Sequence, residues 1–160
     1  MIQAILTAVS VVLLGCAPMA PQPAGGLVQH FPVEKTDAEW KKLLTPQAYQ
    51  ILRHADTEPP FRGRYESNHA AGEYYCVGCG QHLFSSKTKF DSGTGWPSFW
   101  APFTPKAIVL RADGSDGMER TEVLCSRCGG HLGHVFDDGP KPTGKRFCMN
   151  GLVLNFKPSK

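Results

Sequence analysis

The sequence predicts an α+β protein, mostly β, in which two small helices precede a mainly antiparallel β-domain. Two helix-start signals lie close together near residue 36, and short apolar segments with strand character follow from residue 73. The 160 residues also include 17 Gly and 13 Pro, a content that favours turns and short strands over long helices. A chain of this length is expected to form one domain.

Composition excludes several classes of protein. Hydrophobic residues make up 41% and charged residues 19%, which is too apolar and too weakly charged for a disordered chain. The formal charge is +3, and the basic residues are scattered, so no nucleic-acid partner is expected. No apolar stretch reaches the roughly 20 residues that span a bilayer as a helix.

The first residues are predicted to be a signal peptide of the lipoprotein type, over residues 1–15. Residues 2–14 form a nearly continuous apolar run, whose length suits a secretory signal and is too short for a transmembrane helix. The run ends in the letters LLGC at Cys16. This ending resembles the lipobox of bacterial lipoproteins, in which the cysteine is acylated. The alternatives are a buried N-terminal strand or a misassigned start codon.

Residues 16–35 are predicted to be a flexible tether. The segment after Cys16 is rich in proline, alanine and glycine, and it lacks the side chains that build a core. The sequence therefore predicts an exported protein on the periplasmic side of the bacterial cell envelope. A lipid on Cys16 would anchor it to the membrane, with the folded domain over residues 36–158.

Two short helices open this domain. Thr36 and Glu39 have the spacing of a capping box, and apolar residues at helical spacing follow. Thr45 then precedes a second helix, with Pro46 at its first position. The spaced apolar residues of the first helix are Trp40, Leu43 and Leu44, and those expected to face inward in the second are Ala48, Ile51 and Leu52.

Short strands form the rest of the domain. Residues 107–111 and 118–124 flank a segment rich in aspartate and glycine, which indicates a hairpin. Residues 146–150 and 152–156 are predicted to be two further strands on either side of Gly151.

Four cysteines predict a zinc site. Cys76 and Cys79 form one C-x-x-C knuckle, Cys125 and Cys128 form another, and a glycine follows each. Two residues between ligands let both sulfurs face one tetrahedral Zn²⁺, and four thiolates leave no open position, so the zinc would be structural. The alternative is a pair of disulfides, which export would favour, although neighbouring C-x-x-C sulfurs bridge only with strain.

Cys148 is the cysteine that remains once four are assigned to zinc and one to the lipid. Strand alternation places Arg146, Cys148 and Asn150 on one face, with Phe147 and Met149 towards the core. A guanidinium beside a thiol lowers the thiol pKa and favours the nucleophilic thiolate. The alternative is a buried, inert cysteine, against which the polar neighbours argue.

Two more segments point to a site around this thiol. His131 and His134 follow the second knuckle, and imidazole is the usual proton donor near neutral pH, although two such histidines are more often ordinary surface or core residues. Residues 90–100 combine a glycine-rich turn with aromatic side chains. These are either core residues or the walls of a small apolar pocket.

Together these segments resemble the methionine-R-sulfoxide reductase (MsrB) family. The matching motifs are the two knuckles, SGTGWPSF at residues 92–99, HLGHVF at 131–136 and RFCMN at 146–150. They occur in order over about residues 36–158. The resemblance implies two small antiparallel sheets in a β-tent-like fold, joined by the four-cysteine zinc site, with short helices at the N-terminal side.

The resemblance also implies a role for each site residue. Cys148 corresponds to the catalytic cysteine and Arg146 to the residue that supports its thiolate. The polar groups around the sulfoxide oxygen correspond to His131, His134 and Asn150. The residues expected to contact substrate are Trp96, which receives the substrate methyl group, Phe99 and Phe136.

The implied activity is the reduction of methionine-R-sulfoxide in oxidised proteins. The Cys148 thiolate attacks the sulfoxide sulfur, His134 or His131 protonates the oxygen, and methionine leaves a sulfenic acid on Cys148. Many family members carry a second, resolving cysteine where this chain has Thr94. A thioredoxin-like protein or a small thiol is therefore the expected reductant, unless an unlipidated Cys16 reaches the site. The alternative function is a non-catalytic zinc module that binds a protein or nucleic acid.

Overall fold

The computed structural model of the protein describes residues 29–160. The predicted signal peptide, Cys16 and most of the predicted tether lie outside the described residues. Within 29–160, two short helices precede two antiparallel sheets, which confirms the predicted fold class. No helix in this part of the chain is long and apolar enough to cross a membrane.

Both helices begin with the caps that the sequence predicts. Helix α1 (Asp37–Leu43) starts with a complete capping box: the Thr36 hydroxyl accepts from the backbone N–H of Glu39, and the Glu39 carboxylate accepts from the backbone N–H of Thr36. Helix α2 (Pro46–His54) starts after Thr45, whose hydroxyl accepts from a backbone N–H three residues on. These side chains give partners to backbone donors that a helix start leaves unpaired.

The apolar faces of the helices pack as expected, with one exception. The buried side chains are Trp40 of α1, Leu44 just after it, and Ala48, Tyr49, Ile51 and Leu52 of α2. Leu43, which shares the helical spacing, is 53% exposed.

Nine strands within residues 29–160 form the two sheets. The smaller sheet has the order β2-β1-β9 and the larger has the order β3-β4-β8-β7-β6-β5. The strands of the smaller sheet are β1 (Gly72–Cys76), β2 (His82–Ser85) and β9 (Leu154–Pro158). Those of the larger sheet are β3 (Lys89–Phe90), β4 (Ser98–Phe99), β5 (Ile108–Asp113), β6 (Arg120–Cys125), β7 (His131–Phe136) and β8 (Arg146–Met149).

The predicted hairpin is present, because β5 and β6 pair along six residues. The chain around Gly151 differs from the prediction. Gly151–Val153 form a 3₁₀ turn, and the next strand begins at Leu154 and belongs to the other sheet. The Glu58 carboxylate accepts hydrogen bonds from the backbone N–H groups of Gly151 and Leu152. Because these donors are satisfied by a side chain rather than by a neighbouring strand, the chain can turn here and leave the larger sheet.

One core joins the helices and both sheets. Tyr74 of the smaller sheet packs edge-on against Phe99 of the larger one, with ring centroids 5.0 Å apart. Phe84 stacks on the same Phe99 ring at 4.4 Å. Truncating one of these fully buried rings to alanine would cost about 3–5 kcal/mol, so this contact fixes the two sheets against each other.

Candidate active site and metal centre

The four knuckle cysteines come together. Their sulfur atoms all lie within 4.8 Å of one another, with 3.8 Å between Cys76 and Cys128 and 3.4 Å between Cys79 and Cys125. Tetrahedral zinc with bonds of about 2.3 Å separates its sulfurs by about 3.8 Å, whereas a disulfide needs about 2.05 Å. All four thiols are free, so this cluster could hold a metal ion and the disulfide alternative is not supported.

Each knuckle begins at the last residue of a strand, Cys76 on β1 and Cys125 on β6. The backbone N–H of Gly80 donates to the Cys76 carbonyl, and that of Gly129 donates to the Cys125 carbonyl, both at 2.9 Å. The two glycines have φ of 72° and 65°, a region in which other residues are strained. Because β1 and β6 belong to different sheets, a metal ion here would join the sheets.

Cys148 lies outside this cluster, in the interior of the larger sheet. In the strand register it is opposite Ser98 of β4 on one side and His134 of β7 on the other. Side chains opposite each other across antiparallel strands share a face. Burial along β8 alternates as predicted, since Phe147 and Met149 are buried while Arg146 and Cys148 are half-buried.

A pocket of about 140 Å³ opens beside Cys148, and we call it the Cys148 pocket. Four predicted site residues line it with the thiol: Trp96, His134, Phe136 and Asn150. Its remaining walls are Thr57, Arg120, Gly133 and Met149. This volume admits the end of one side chain and is smaller than the usual site for a whole small-molecule ligand.

The pKa of the Cys148 thiol is raised above its ordinary value. Burial is the largest cause, since it removes water from the charged form. Hydrogen bonding by Thr94 and the charge of Arg146 act in the opposite direction. Arg146 therefore acts to lower the pKa of Cys148, as predicted. The net shift of this pKa is nevertheless upward, because the effect of burial is larger than that of Arg146.

The Arg146 guanidinium is fixed by a two-point ion pair. Its Nε and Nη2 donate to the two carboxylate oxygens of Asp138, each at 2.8 Å. The same guanidinium lies 4.4 Å from the centre of the Phe136 ring. These contacts hold a positive charge where it favours the Cys148 thiolate.

The His134 ring is held by a carboxylate. His134 Nε2 lies 2.7 Å from Asp113 Oδ2, and Arg120 Nη2 donates to the same oxygen at 3.0 Å. Hydrogen bonds from Ser115, and then from His134, keep the pKa of Asp113 well below its usual range. Burial lowers the pKa of His134 and outweighs the opposite effect of Asp113. The His134 imidazole is thus oriented by an ionised carboxylate.

His131 lies deeper than His134 and does not line the Cys148 pocket. Its Nδ1 is 2.7 Å from Glu122 Oε1, and Arg111 Nε donates to Glu122 Oε2 at 2.8 Å. Its Nε2 is buried without a hydrogen-bond partner among the described residues. Such a group is of the kind that a water molecule or a substrate oxygen would satisfy.

Gly133, between the two histidines, lets β7 and β8 approach closely. A Cβ atom at this position would lie 2.1 Å from the backbone oxygen of Cys148. The glycine in the HLGHVF segment is therefore required by the packing of the strand that carries the thiol.

Asn150 and Trp96 are both tied to one residue, Glu58. The Asn150 Oδ1 accepts from the backbone N–H of Glu58 at 3.0 Å, and the Trp96 indole N–H donates to the backbone carbonyl of Glu58 at 3.0 Å. The Asn150 Nδ2 also donates to the Leu132 carbonyl at 3.2 Å. Glu58 itself is 3% exposed, so a buried residue positions both a pocket wall and a polar group beside the thiol.

The structure corrects the expectation that Phe99 lines the pocket. Phe99 is opposite Phe147 in the register, on the core face of the sheet, and it is fully buried. Successive residues of a strand point to opposite faces. Ser98, opposite Cys148, therefore shares the face of the thiol, and Phe99 belongs to the core.

Thr94 lies next to the thiol. Its Oγ1 is 3.7 Å from the Cys148 Sγ, and the Ser92 Oγ lies 2.8 Å from the same Thr94 oxygen. The glycine-rich turn thus places the position where a resolving cysteine would stand beside Cys148.

Three carboxylates of the site do not follow from sequence reasoning. Glu122 carries a weak signal, since it interrupts the apolar part of a predicted strand, and Asp113 lies in the predicted hairpin turn. Glu58 has no local signal, because its partners Asn150, Gly151 and Leu152 lie more than 90 residues further along the chain.

The fold and site define a class of protein in which one pocket thiol lies apart from a cluster of four cysteines that could hold a metal ion between two sheets. The chain belongs to the SelR domain family, whose sequence model matches residues 44–158. Similar proteins include that of Methanosarcina barkeri, 58% identical over 125 residues, which cover 78% of this chain and 88% of the relative. That of Leptospira interrogans is 53% identical over 128 residues, or 80% of this chain and 98% of the relative. Both relatives are named peptide methionine sulfoxide reductase MsrB.

Proposed function

We propose that this protein is a peptide methionine sulfoxide reductase that reduces methionine-R-sulfoxide in oxidised proteins, with Cys148 as the nucleophile. The observation that carries this proposal is one thiol in a small pocket, between an oriented imidazole and a fixed guanidinium. The 53–58% identity to proteins named for this activity supports it. The alternative, a non-catalytic zinc module, leaves the Cys148 pocket without a role.

In this proposal the sulfoxide side chain enters the Cys148 pocket. Its methyl group contacts Trp96 and Phe136, and its oxygen lies towards His134 and Asn150. Because the sulfoxide sulfur is chiral, only one epimer can place the methyl and the oxygen on these two sides at once. The assignment of the R epimer rests on the family resemblance.

The Cys148 sulfur attacks the sulfoxide sulfur and forms an S–S bond while the oxygen takes a proton. The S–O and S–S bonds then break as the oxygen is transferred to Cys148. His134 is the donor that we favour, because it lines the pocket while His131 does not. The products are methionine, whose sulfur is reduced by two electrons, and a sulfenic acid on Cys148. Two external thiols then return the cysteine to its thiol, with one disulfide and one water as products. We propose a thioredoxin-like protein or a small thiol for this step.

Single-turnover chemistry tests this function. Mixed with excess methionine-R-sulfoxide and no reductant, the enzyme is expected to form about one methionine per chain, since one thiolate reacts once. Dimedone should label Cys148, and Cys148→Ser should remove both the methionine and the label. Thr94→Cys should replace the label with a disulfide to Cys148. A wild-type protein that loses two hydrogens instead of gaining one oxygen would overturn the single-cysteine cycle.

The metal that fits the four-cysteine cluster is zinc, in a structural role. Zinc bound there would stabilise the junction of the two sheets and would offer no open position to substrate. In this proposal Cys76, Cys79, Cys125 and Cys128 are ligands only and take no part in the reaction.

We also propose that the protein is a lipoprotein of the bacterial cell envelope, on the periplasmic side. The apolar run that ends at Cys16 and the proline-rich segment after it support this localisation. Cys16→Ser should move the protein from the membrane fraction to the soluble fraction on cell fractionation. A wild-type protein that is fully soluble and begins at Met1 would contradict the proposal.

A further inference from the structure

A second, larger depression adjoins the Cys148 pocket. It measures about 550 Å³, against about 140 Å³ for the Cys148 pocket. Thr57 lines both, so the two share a wall at this residue. The depression lies between helix α2 and residues 56–59, with Leu152 beside them, and we call it the α2 groove.

The need for such a surface follows from the size of the Cys148 pocket. A pocket of about 140 Å³ encloses the sulfoxide end of a methionine side chain. The rest of a protein substrate must then lie on the surface that borders the pocket entrance. Part of that border is the loop from Asp56 to Pro59, which is also a wall of the α2 groove.

The groove has the chemistry of a site for an extended polypeptide. Its apolar lining comes from the exposed Pro46 and Pro59, the half-buried Leu152, and the small exposed parts of Tyr49 and Ile51. Gln47 and Gln50 also line it and are exposed on α2. Apolar surface would bury alternate side chains of an extended segment, and the amide groups can donate to and accept from its backbone.

The loop between groove and pocket is held in place. Glu58 makes hydrogen bonds through its carboxylate to Gly151 and Leu152, and through its backbone to Asn150 and Trp96. The same short loop therefore fixes the substrate-methyl wall of the pocket and one wall of the groove. A segment lying in the groove would be positioned relative to the thiol by this loop.

A third depression borders the Cys148 pocket on the side of Arg120 and Phe136. Four of its nine lining residues are charged: Asp113, Glu119, Arg120 and Asp137. Three of the eleven that line the α2 groove are charged: Lys41, Asp56 and Glu58, and the Glu58 carboxylate is already bound to Gly151 and Leu152. Asp113 is already engaged by His134 and Arg120. The mainly apolar α2 groove is the better match for the apolar sequence that surrounds methionines in unfolded or partly unfolded proteins, because methionine belongs to protein cores.

We infer that the α2 groove binds the polypeptide segment next to the methionine sulfoxide, with preference for apolar side chains. This inference rests on the proposed function. It names the surface that would bind a core segment that becomes exposed when an oxidised protein unfolds.

Kinetics with two substrates test the inference. The variant is Gln50→Glu, which places a charge in the groove without touching the pocket. The control is Gln29→Glu, the same change at an exposed position outside the groove. The substrates are N-acetyl-methionine-R-sulfoxide and a ten-residue peptide with apolar residues around the sulfoxide. Gln50→Glu should raise the KM for the peptide by about fivefold, with the KM for the small substrate and both kcat values unchanged.

A cross-link gives an independent reading. A peptide with a photoreactive residue two positions from the sulfoxide should attach to residues 46–59 in the Cys148→Ser protein, which cannot turn it over. Attachment to residues 112–121, or an equal change in KM for both substrates, would overturn the groove assignment. If the wild-type protein reduces neither substrate, the proposed function fails, and the groove inference fails with it.

Discussion

The two places where this protein holds cysteines differ in what surrounds the sulfur. At the four-cysteine cluster the sulfurs lie within 4.8 Å of one another, each knuckle starting at the end of a strand. At Cys148 the neighbours are instead a hydroxyl, an imidazole and a guanidinium, and a small pocket opens beside the thiol. The same thiol group is thus suited to hold a metal in one place and to attack a substrate in the other.

The two regions also differ in how they are built. Each knuckle is local, since two cysteines three residues apart and one glycine define it. The Cys148 pocket draws its walls from a loop, a glycine-rich turn and three strands. The Asp113 carboxylate holds His134 in place, and the backbone of the buried Glu58 holds Asn150 and Trp96. We therefore expect damage to the cluster to appear as lost stability, and damage to the pocket to appear as lost activity.

The largest expected effect comes from Cys125→Ser. Loss of one ligand should release the metal and remove several kcal/mol, which lowers the Tm by roughly 10 °C or more for a chain of this size. Metal analysis and thermal unfolding measure both. Cys148→Ser is the matched control, with full metal content, an unchanged Tm and no activity. A Cys125→Ser protein that keeps its metal and its Tm would show that the cluster is not a four-ligand site.

A smaller effect is expected from Glu58→Gln. The amide retains one acceptor oxygen, so one of the two N–H groups at Gly151 and Leu152 loses its partner, at a cost of about 1–3 kcal/mol. Because the carboxylate anchors the loop whose backbone holds Trp96 and Asn150, the KM for N-acetyl-methionine-R-sulfoxide should also rise.

The control for this change is Glu39→Gln in the capping box of α1. That carboxylate also accepts from a backbone N–H, but it is exposed and outside the pocket. The glutamine oxygen can still accept in the capping box, so only the negative charge near the helix start is lost. This should cost about 0.3–1 kcal/mol and leave the KM unchanged. Equal KM values in the two variants would reduce Glu58 to a purely structural role.

The smallest effect is expected from Arg146→Met, read as the rate of Cys148 alkylation against pH. Burial already raises the pKa of this thiol, and the charge of Arg146 lowers it. Without that charge the pKa should rise further, so alkylation near pH 8 slows while the rate at high pH is unchanged. Arg62→Met, at an exposed position outside the pocket, is the control. A profile that moves to lower pH would show that Arg146 does not favour the thiolate.

Features that depend on near neighbours in the chain follow from the sequence alone. The caps of α1 and α2 need partners only three residues away, and the knuckles need two cysteines and a glycine at fixed spacing. The alternation along β8 follows from the geometry of any strand, and it correctly separates Cys148 from Phe147 and Met149. Local spacing is therefore sufficient to predict the four-cysteine cluster and to single out the candidate nucleophile.

Features that depend on burial and on distant partners are set by the tertiary structure. It places Phe99 in the core, moves the chain after Gly151 into the smaller sheet, and sets His134 rather than His131 in the pocket. It also raises the pKa of Cys148, which the neighbouring Arg146 is predicted to lower. Desolvation depends on everything packed around a group, and the hydrogen bonds of Glu58 cross more than 90 residues of chain, so neither can be read from local spacing.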